Sequence, residues 1–352
     1  MAKSTKKQES ENSNEFFNKA TTPSVEGFVF MEKAVQILEI GYGTEKNIVL
    51  YGPGGHGKSE LTEAFFAEKG IKPYVITMGT GMTTDRMFGG LDIPTFNATG
   101  KIEYLVENSF MNHEFVVFEE MFDAPDFILE QLKDILSSGT FRNGTQIFDI
   151  KTKFIVCCTN RTRDEFSKNM SLKALMERFP LELNVIWDNY TEASYNKLLE
   201  TKFGTGNVDP VIPYLLQEYH TAGVTISPRV AVTAYQVFAE CGPDSLTFLA
   251  EFAKKPEIIK DSLKKYENTL AFRALSVELG DIVNELQTNK LANSGDIGAF
   301  DKDMKLFAKK MRELKSLKVS DDLVATHTEL VKGLTTLYTQ LEKKNAVKSI
   351  ME

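Results

Sequence analysis

The sequence predicts an α/β domain, a mostly parallel sheet covered by helices, followed by an all-helical second half. Three observations carry this. Short β-rich runs alternate with helical stretches through the first half of the chain, the pattern parallel strands need because each is brought back by a crossover. A glycine-rich loop joins one of these runs to the helix after it. After Trp187 the β character stops, and helical patterns continue to Glu352.

Residues 1–20 are polar, rich in Lys, Glu, Ser and Asn, and read as a flexible arm. The β-rich runs are Asn47–Tyr51, Tyr74–Met78, Phe115–Phe118, Phe154–Cys158 and Leu181–Trp187. The clearest helix is Pro125–Ser138, with Ile128, Leu129, Leu132, Ile135 and Leu136 on one face and Gly139 as its stop. Two segments break the alternation and read as β-hairpin insertions projecting from one face. Ile93–Val106 turns at Asn97-Ala98-Thr99-Gly100, and Thr140–Asp149 turns at Arg142-Asn143-Gly144. Asn-Gly is a strong hairpin signal because both residues tolerate positive φ.

Asp188–Thr191 reads as a linker, and residues 192–255 as a small helical unit. In the remainder, Leu323, Leu330, Leu334, Leu337 and Leu341 keep a 3-4 spacing, as do Met304, Phe307, Met311 and Leu314. A helical hairpin, a short coiled coil and an ordinary amphipathic pair packed on its own domain all fit, and the last is the simplest. The domain division is therefore an arm over 1–20, an α/β core over 21–188, a helical unit over 189–255 and a helical extension over 256–352.

Composition excludes several classes. With 42% hydrophobic and 26% charged residues in 352, a mostly disordered chain is excluded. Forty-one Lys and Arg against 49 Asp and Glu give a net charge of −8, which argues against a nucleic-acid coat protein. One local reversal exists. Asp301–Lys318 holds seven basic residues (Lys302, Lys305, Lys309, Lys310, Arg312, Lys315, Lys318) against three acids. A solvated helix face is the simplest account, and docking of an acidic partner or nucleic acid is the alternative. Few aromatics interleave, which weakens single-strand binding.

The three cysteines, Cys157, Cys158 and Cys241, form no CxxC pair, and the four histidines are scattered, so neither a disulfide scaffold nor a zinc module is indicated. The N-terminus lacks the apolar core of a signal peptide, and no apolar run approaches the roughly 20 residues that span a bilayer. A cytoplasmic protein is expected.

Gly52-Pro53-Gly54-Gly55-His56-Gly57-Lys58-Ser59 matches the phosphate-binding pattern G-x-x-x-x-G-K-[ST]. Glycines let backbone N–H groups converge on phosphate oxygens, and the helix starting near Lys58 adds its positive end. Lys58 reaches the β and γ phosphates, and Ser59 ligates Mg2+. His56 occupies a variable position and reads as a bystander within this set; Glu60 is the next residue of the set.

Phe115-Val116-Val117-Phe118-Glu119-Glu120 is an apolar strand ending in two carboxylates. A self-sufficient nucleoside triphosphatase needs one carboxylate for the metal shell and one residue for the attacking water. Glu119 takes the metal and Glu120 the water.

In this order the motifs resemble the AAA+ ATPases, and within them the MoxR branch, over about residues 25–250. Phe154-Ile155-Val156-Cys157-Cys158-Thr159-Asn160 resembles the sensor-1 strand, which implies that Asn160 lies near the γ-phosphate. Leu175-Met176-Glu177-Arg178-Phe179-Pro180 resembles the arginine-finger segment, which implies that Arg178 serves the neighbouring subunit's site; Arg161 and Arg163 compete for that role. Ser227-Pro228-Arg229 resembles the sensor-2 motif opening a lid helix, with Ser227 as N-cap and Arg229 on phosphate. The two hairpins match places where MoxR-type proteins carry β insertions. One departure stands out. The family usually has Asp where this chain has Glu119, one methylene longer, which shifts the metal geometry.

The resemblance implies an ATP- and Mg2+-dependent hydrolase that assembles into a homo-oligomeric ring, a hexamer in the family, and remodels or activates a partner, for example one with a von Willebrand A domain. Two alternatives belong to other classes. A metal-chelatase-like ATPase subunit would respond to a porphyrin- or corrin-handling partner, and an ATP-dependent assembly switch would hold ATP without turnover. A DNA-translocating motor is weaker still.

Overall fold

The computed structural model describes residues 24–144, 146–166, 170–288, 297–319 and 323–351. The arm expected over residues 1–20 lies outside them. The chain forms two compact units. The first takes the described residues up to Tyr190 together with Ser194–Val208 and Ile226–Thr233, and the second takes Thr191–Ala193, Asp209–Thr225 and the described residues from Ala234 onward.

The first unit begins with α1 (Glu32–Thr44), β1 (Ile48–Tyr51), α2 (Lys58–Glu68), β2 (Tyr74–Thr77) and α3 (Thr84–Phe88). An insertion follows, with β3 (Gly90–Leu91), α4 (Ile93–Thr99) and β4 (Tyr104–Leu105). Then come β5 (Phe115–Glu119), α5 (Asp126–Ser138), β6 (Thr140–Asn143), β7 (Gln146–Asp149), β8 (Phe154–Cys158), α6 (Arg163–Phe166), α7 (Met170–Met176) and β9 (Leu181–Asn184).

Five of the strands form one sheet in the order β2-β5-β8-β1-β9, with every pairing parallel. β1 and β8 are buried along their whole length, which accounts for their unbroken apolar sequences. The period of two divides each strand between two cores. Ile48, Leu50, Val156 and Cys158 pack with Leu38 of α1 and Leu61, Phe65 and Phe66 of α2. Val49, Ile155 and Cys157 face the other way, onto Ile128, Leu129, Leu132 and Ile135 of α5 and Leu175 of α7. The sheet is thus covered on both faces. The register sets Leu50 and Glu119 beside Cys158 and Thr77 beside Glu119, so the strand ends that carry the motifs lie together.

α5 ends as its sequence predicts. Gly139 adopts φ 69 and returns its N–H to Ile135 O at 2.9 Å. The expected hairpin at Thr140–Asp149 forms as β6 and β7, with Asn143 opposite Gln146 and Gly144 at φ 59. The other hairpin needs correction. Asn97–Gly100 is not a strand-joining turn. It is the end of helix α4, and only Gly90–Leu91 and Tyr104–Leu105 pair, flanking that helix. The cause is local capping. The Asp92 carboxylate accepts from Thr95 N–H (3.1 Å) and Thr95 Oγ1 (2.7 Å), and Pro94 lies in the first turn. Gly100, at φ 68, closes the helix as its C-cap.

Three further helices follow, α8 (Glu192–Phe203), α9 (Val211–Thr221) and α10 (Pro228–Cys241). The chain ends in α11 (Glu257–Thr288), α12 (Ile297–Ser316) and α13 (Val324–Met351). In the second unit, Phe272, Leu279 and Leu286 of α11, Met304, Phe307, Met311 and Leu314 of α12, and Leu341 of α13 share one apolar core. Leu323, Leu330, Leu334 and Leu337 pack against it. The 3-4 pattern is therefore the seam of a packed helical unit. In the same unit Tyr219 donates its hydroxyl to Lys255 O (2.9 Å), tying α9 to the turn before α11.

Candidate active site

The glycine-rich loop leaves β1 at Gly52. That residue has φ 135, and a Cβ there would stand 2.2 Å from Val185 O, so only glycine fits. Gly55 and Gly57 also take positive φ, at 80 and 82. Lys58 opens α2 and is almost fully buried. Its ammonium donates to Gly52 O (2.7 Å), Pro53 O (2.9 Å) and Asn160 Oδ1 (3.0 Å). Burial pulls its pKa below the usual lysine range; Cys158 and Glu120 act in the opposite direction and Arg229 adds to the fall. Ser59 lies in hydrogen-bonding reach of the Cys158 thiol, itself pushed up to about 11 chiefly by burial.

His56 has a clear task in the fold. It is buried, and its Nδ1 accepts the Trp187 N–H at 2.9 Å, fastening the loop to the segment after β9. Burial first, and the Lys58 charge second, lower its pKa, which favours the neutral ring that this bond requires.

The two carboxylates part company at the end of β5. Continuing the alternation of Val117, which packs on the α2 side, Glu119 falls on the face of the sheet that carries Cys158 and α2. Its Oε2 accepts the Thr77 hydroxyl from β2 at 2.7 Å. Glu120 instead turns at φ 51 and ψ 39. Its Oε2 accepts from Asn160 N–H (3.1 Å) and from the Thr159 hydroxyl (3.3 Å), both just past β8.

The arginines are distributed unequally. Arg229 brings its backbone N–H to Gly55 O (3.2 Å), and its guanidinium lies 3.8 Å from Glu60. Ser227 accepts weakly from Val230 N–H at 3.4 Å, as an N-cap of α10. Arg161 is tied to Asp123 (Nε to Oδ1, 2.8 Å) and Arg163 to Glu182 (2.9 Å). Arg178 lies at the other end of the sheet. Its carbonyl accepts from Asn47, which precedes β1, whereas the loop follows β1. Four strand residues, roughly 13 Å at about 3.3 Å each, separate the two levels. Its guanidinium contacts Ser137 Oγ (3.0 Å), Ala174 O (3.0 Å) and Glu177 (3.1 Å).

The structure thus gathers Lys58, Glu120 and Asn160, sets Ser59 and Glu119 on one sheet face, brings Arg229 to the loop, and leaves Arg178 apart. Thr77, Thr159 and Trp187 were missed by sequence reasoning. Thr77 and Thr159 act on Glu119 and Glu120 at the end of another strand, and Trp187 on His56 of the loop, so only the folded sheet brings each pair together. A cleft of about 730 Å³ opens beside the loop, lined by Gly52, Pro53, Asn160, Arg161, Arg163 and Asn184. No group of three or more His, Cys, Asp or Glu arranged to hold a metal occurs among the described residues. Nor is any helix among them long and apolar enough to cross a membrane.

A parallel five-stranded sheet, a glycine-rich loop after β1, a carboxylate pair at the end of β5 and an asparagine after β8 are the arrangement of an AAA+ ATPase. The family model for the MoxR domain of MoxR-vWA-beta-propeller ternary systems matches residues 15–210, more than half of the 352. The chain belongs to the MoxR family of AAA+ ATPases. Among solved structures it is similar to NtrX from Brucella abortus in complex with ADP, at 14% identity and TM-score 0.43, covering 69% of this chain and 54% of that one. A second NtrX structure gives 13% and 0.44, with 86% and 72% covered. The NtrX complex with ATP gives 16% and 0.42, with 69% and 54% covered. The chain spans about half the length of the first of these.

Proposed function

We propose that this protein hydrolyses ATP to ADP and phosphate, with Mg2+, in a ring of identical subunits, and that the cycle remodels or activates a partner protein. The observation that carries the reading is the meeting of Lys58, Asn160 and Glu120 at the mouth of a glycine-rich loop. The loop N–H groups and the start of α2 receive the phosphates. Lys58 exchanges its carbonyl bonds for β and γ oxygens. Glu120 accepts a hydrogen bond from the attacking water and lines it up with the γ-phosphorus, while Asn160 steadies the γ-phosphate. A water–phosphorus bond forms, the bond to the bridging oxygen breaks, and ADP leaves.

Ser59 and Glu119 offer only oxygen donors on the α2 side of the sheet, a set that suits Mg2+. When bound, Mg2+ supplies neutralisation of phosphate charge. Thr77, by holding Glu119 Oε2, restrains the longer side chain that replaces the family's usual Asp. Arg229 approaches phosphate from α10. Arg178, turned away from its own loop, serves the site of a neighbouring copy. That makes the site shared, and a ring, a hexamer by family resemblance, follows from it.

The name of the family model supports a partner with a von Willebrand A domain and a β-propeller as a further component. The test is steady-state ATP hydrolysis with and without Mg2+, beside capture of partners by a tagged Glu120→Gln chain loaded with ATP. The expected result is Mg2+-dependent turnover by the wild type, and a von Willebrand A protein held by Glu120→Gln but not by Lys58→Ala. Stoichiometric ATP retention without turnover in the wild type would instead make it an assembly switch.

A further inference from the structure

Glu120 adopts a left-handed backbone conformation that residues with side chains disfavour. The surrounding bonds hold it there. Its N–H donates to Cys158 O (2.8 Å), and its carbonyl accepts from Asp123 N–H (2.9 Å). Such a residue persists only where its neighbours over-determine it, and these sites concentrate where function needs a fixed side chain.

Thr159 completes the restraint. It is fully buried, and its N–H donates to Leu50 O on the adjacent strand (3.0 Å). Its hydroxyl accepts from Arg161 N–H (3.2 Å), which occupies a lone pair and leaves the single proton for Glu120 Oε2 at 3.3 Å. The same oxygen takes the Asn160 N–H. Both protein donors therefore converge on Oε2, and no hydrogen bond reaches Oε1 among the described residues. The loop bearing Thr159 is itself anchored, because Arg161 grips Asp123, three residues past Glu120. One carboxylate oxygen is fixed, and the other is presented.

We propose that Thr159 is a positioning residue for hydrolysis: its hydroxyl fixes Glu120 Oε2 so that Oε1 meets the attacking water. This rests on the reading of Glu120 given above. Lys58 draws its bonds from Gly52, Pro53 and Asn160, so Thr159 acts on the chemical step and not on phosphate capture.

The experiment compares Thr159→Val, which keeps the shape and removes the donor, with Thr159→Ser, which keeps the donor. Full-length proteins are assayed for kcat and for affinity toward a fluorescent ATP analogue. The valine variant is expected to lose about tenfold in kcat, the scale of one hydrogen bond to a charged group, with affinity held within about twofold. Serine recovers most of the rate. In a Glu120→Gln background, Thr159→Val causes no further loss, because the two act as one unit. Should the valine chain not fold, Thr159→Ala against Thr159→Ser makes the same comparison. Normal kcat without the hydroxyl, while Glu120→Gln is slowed by about 10²-fold or more, overturns this proposal alone. A loss in serine as large as that in valine would do so too, since a retained hydroxyl would then fail to sustain the rate. Normal turnover in Glu120→Gln brings down the reading of Glu120 and Thr159 with it.

Discussion

Lys58 and Glu120 meet through one residue, Asn160, whose side-chain oxygen accepts from the Lys58 ammonium and whose backbone N–H donates to Glu120. Under the proposed roles, Lys58→Ala abolishes ATP binding, whereas Glu120→Gln binds ATP and slows turnover by about 10²-fold or more; equilibrium binding beside single-turnover kinetics separates the two. Gly52→Ala places a Cβ against Val185 O and costs about 2 kcal/mol or more, read as a fall in urea midpoint. His56 contributes a pH dependence. Its folded pKa lies below the unfolded value, so the unfolded chain binds more protons, and stability is lost as pH falls below about 6.5 towards the lowered pKa. His56→Gln should show a smaller fall in Tm between neutral and mildly acidic pH; an unchanged fall contradicts the assignment. The loop was legible in the sequence because its chemistry constrains consecutive positions. Thr77 and Thr159 were not, since each acts on a residue from another strand, about 40 positions away in sequence.

Among the elements, those with one dominant signal were readable. α5 shows a single apolar face and a glycine stop, and the β6–β7 turn places Gly144 at φ 59 directly after the Asn143–Gln146 pair, where a residue free to take positive φ is wanted. At α4 the structure differs from the hairpin the sequence suggests, because Gly100 suits either a hairpin turn or a helix C-cap, and only the Asp92–Thr95 capping bonds decide. The last two helices were legible as amphipathic, but their partners were not, because a 3-4 pattern names a buried face without naming what covers it. Phe307 of α12 is fully buried in that core, near Tyr338 of α13 at 5.9 Å between ring centroids. Phe307→Ala should therefore cost about 3–5 kcal/mol, measured by urea unfolding followed by circular dichroism. A loss under about 1 kcal/mol would mean that this seam contributes little to stability.

At the scale of the whole molecule, the separation of Arg178 from its own loop is the feature that a single chain leaves unexplained. The Arg178 side chain is half-buried, and its present contacts are with Ser137, Ala174 and the more exposed Glu177. If it acts on a neighbouring copy, Arg178→Ala lowers turnover by about 10³-fold while ATP affinity is kept. The measurement that decides this is the ATPase rate of a mixture of Arg178→Ala and Glu120→Gln chains, each at about a hundredth of the wild-type rate or less alone. In a randomly assembled ring, about a quarter of interfaces pair an intact Glu120 with an intact Arg178 from the adjoining subunit. Mixing is expected to restore a corresponding share of wild-type hydrolysis. A mixture that stays at the rate of the separate variants, with the wild type active and the variants shown to co-assemble, would contradict a site shared between subunits.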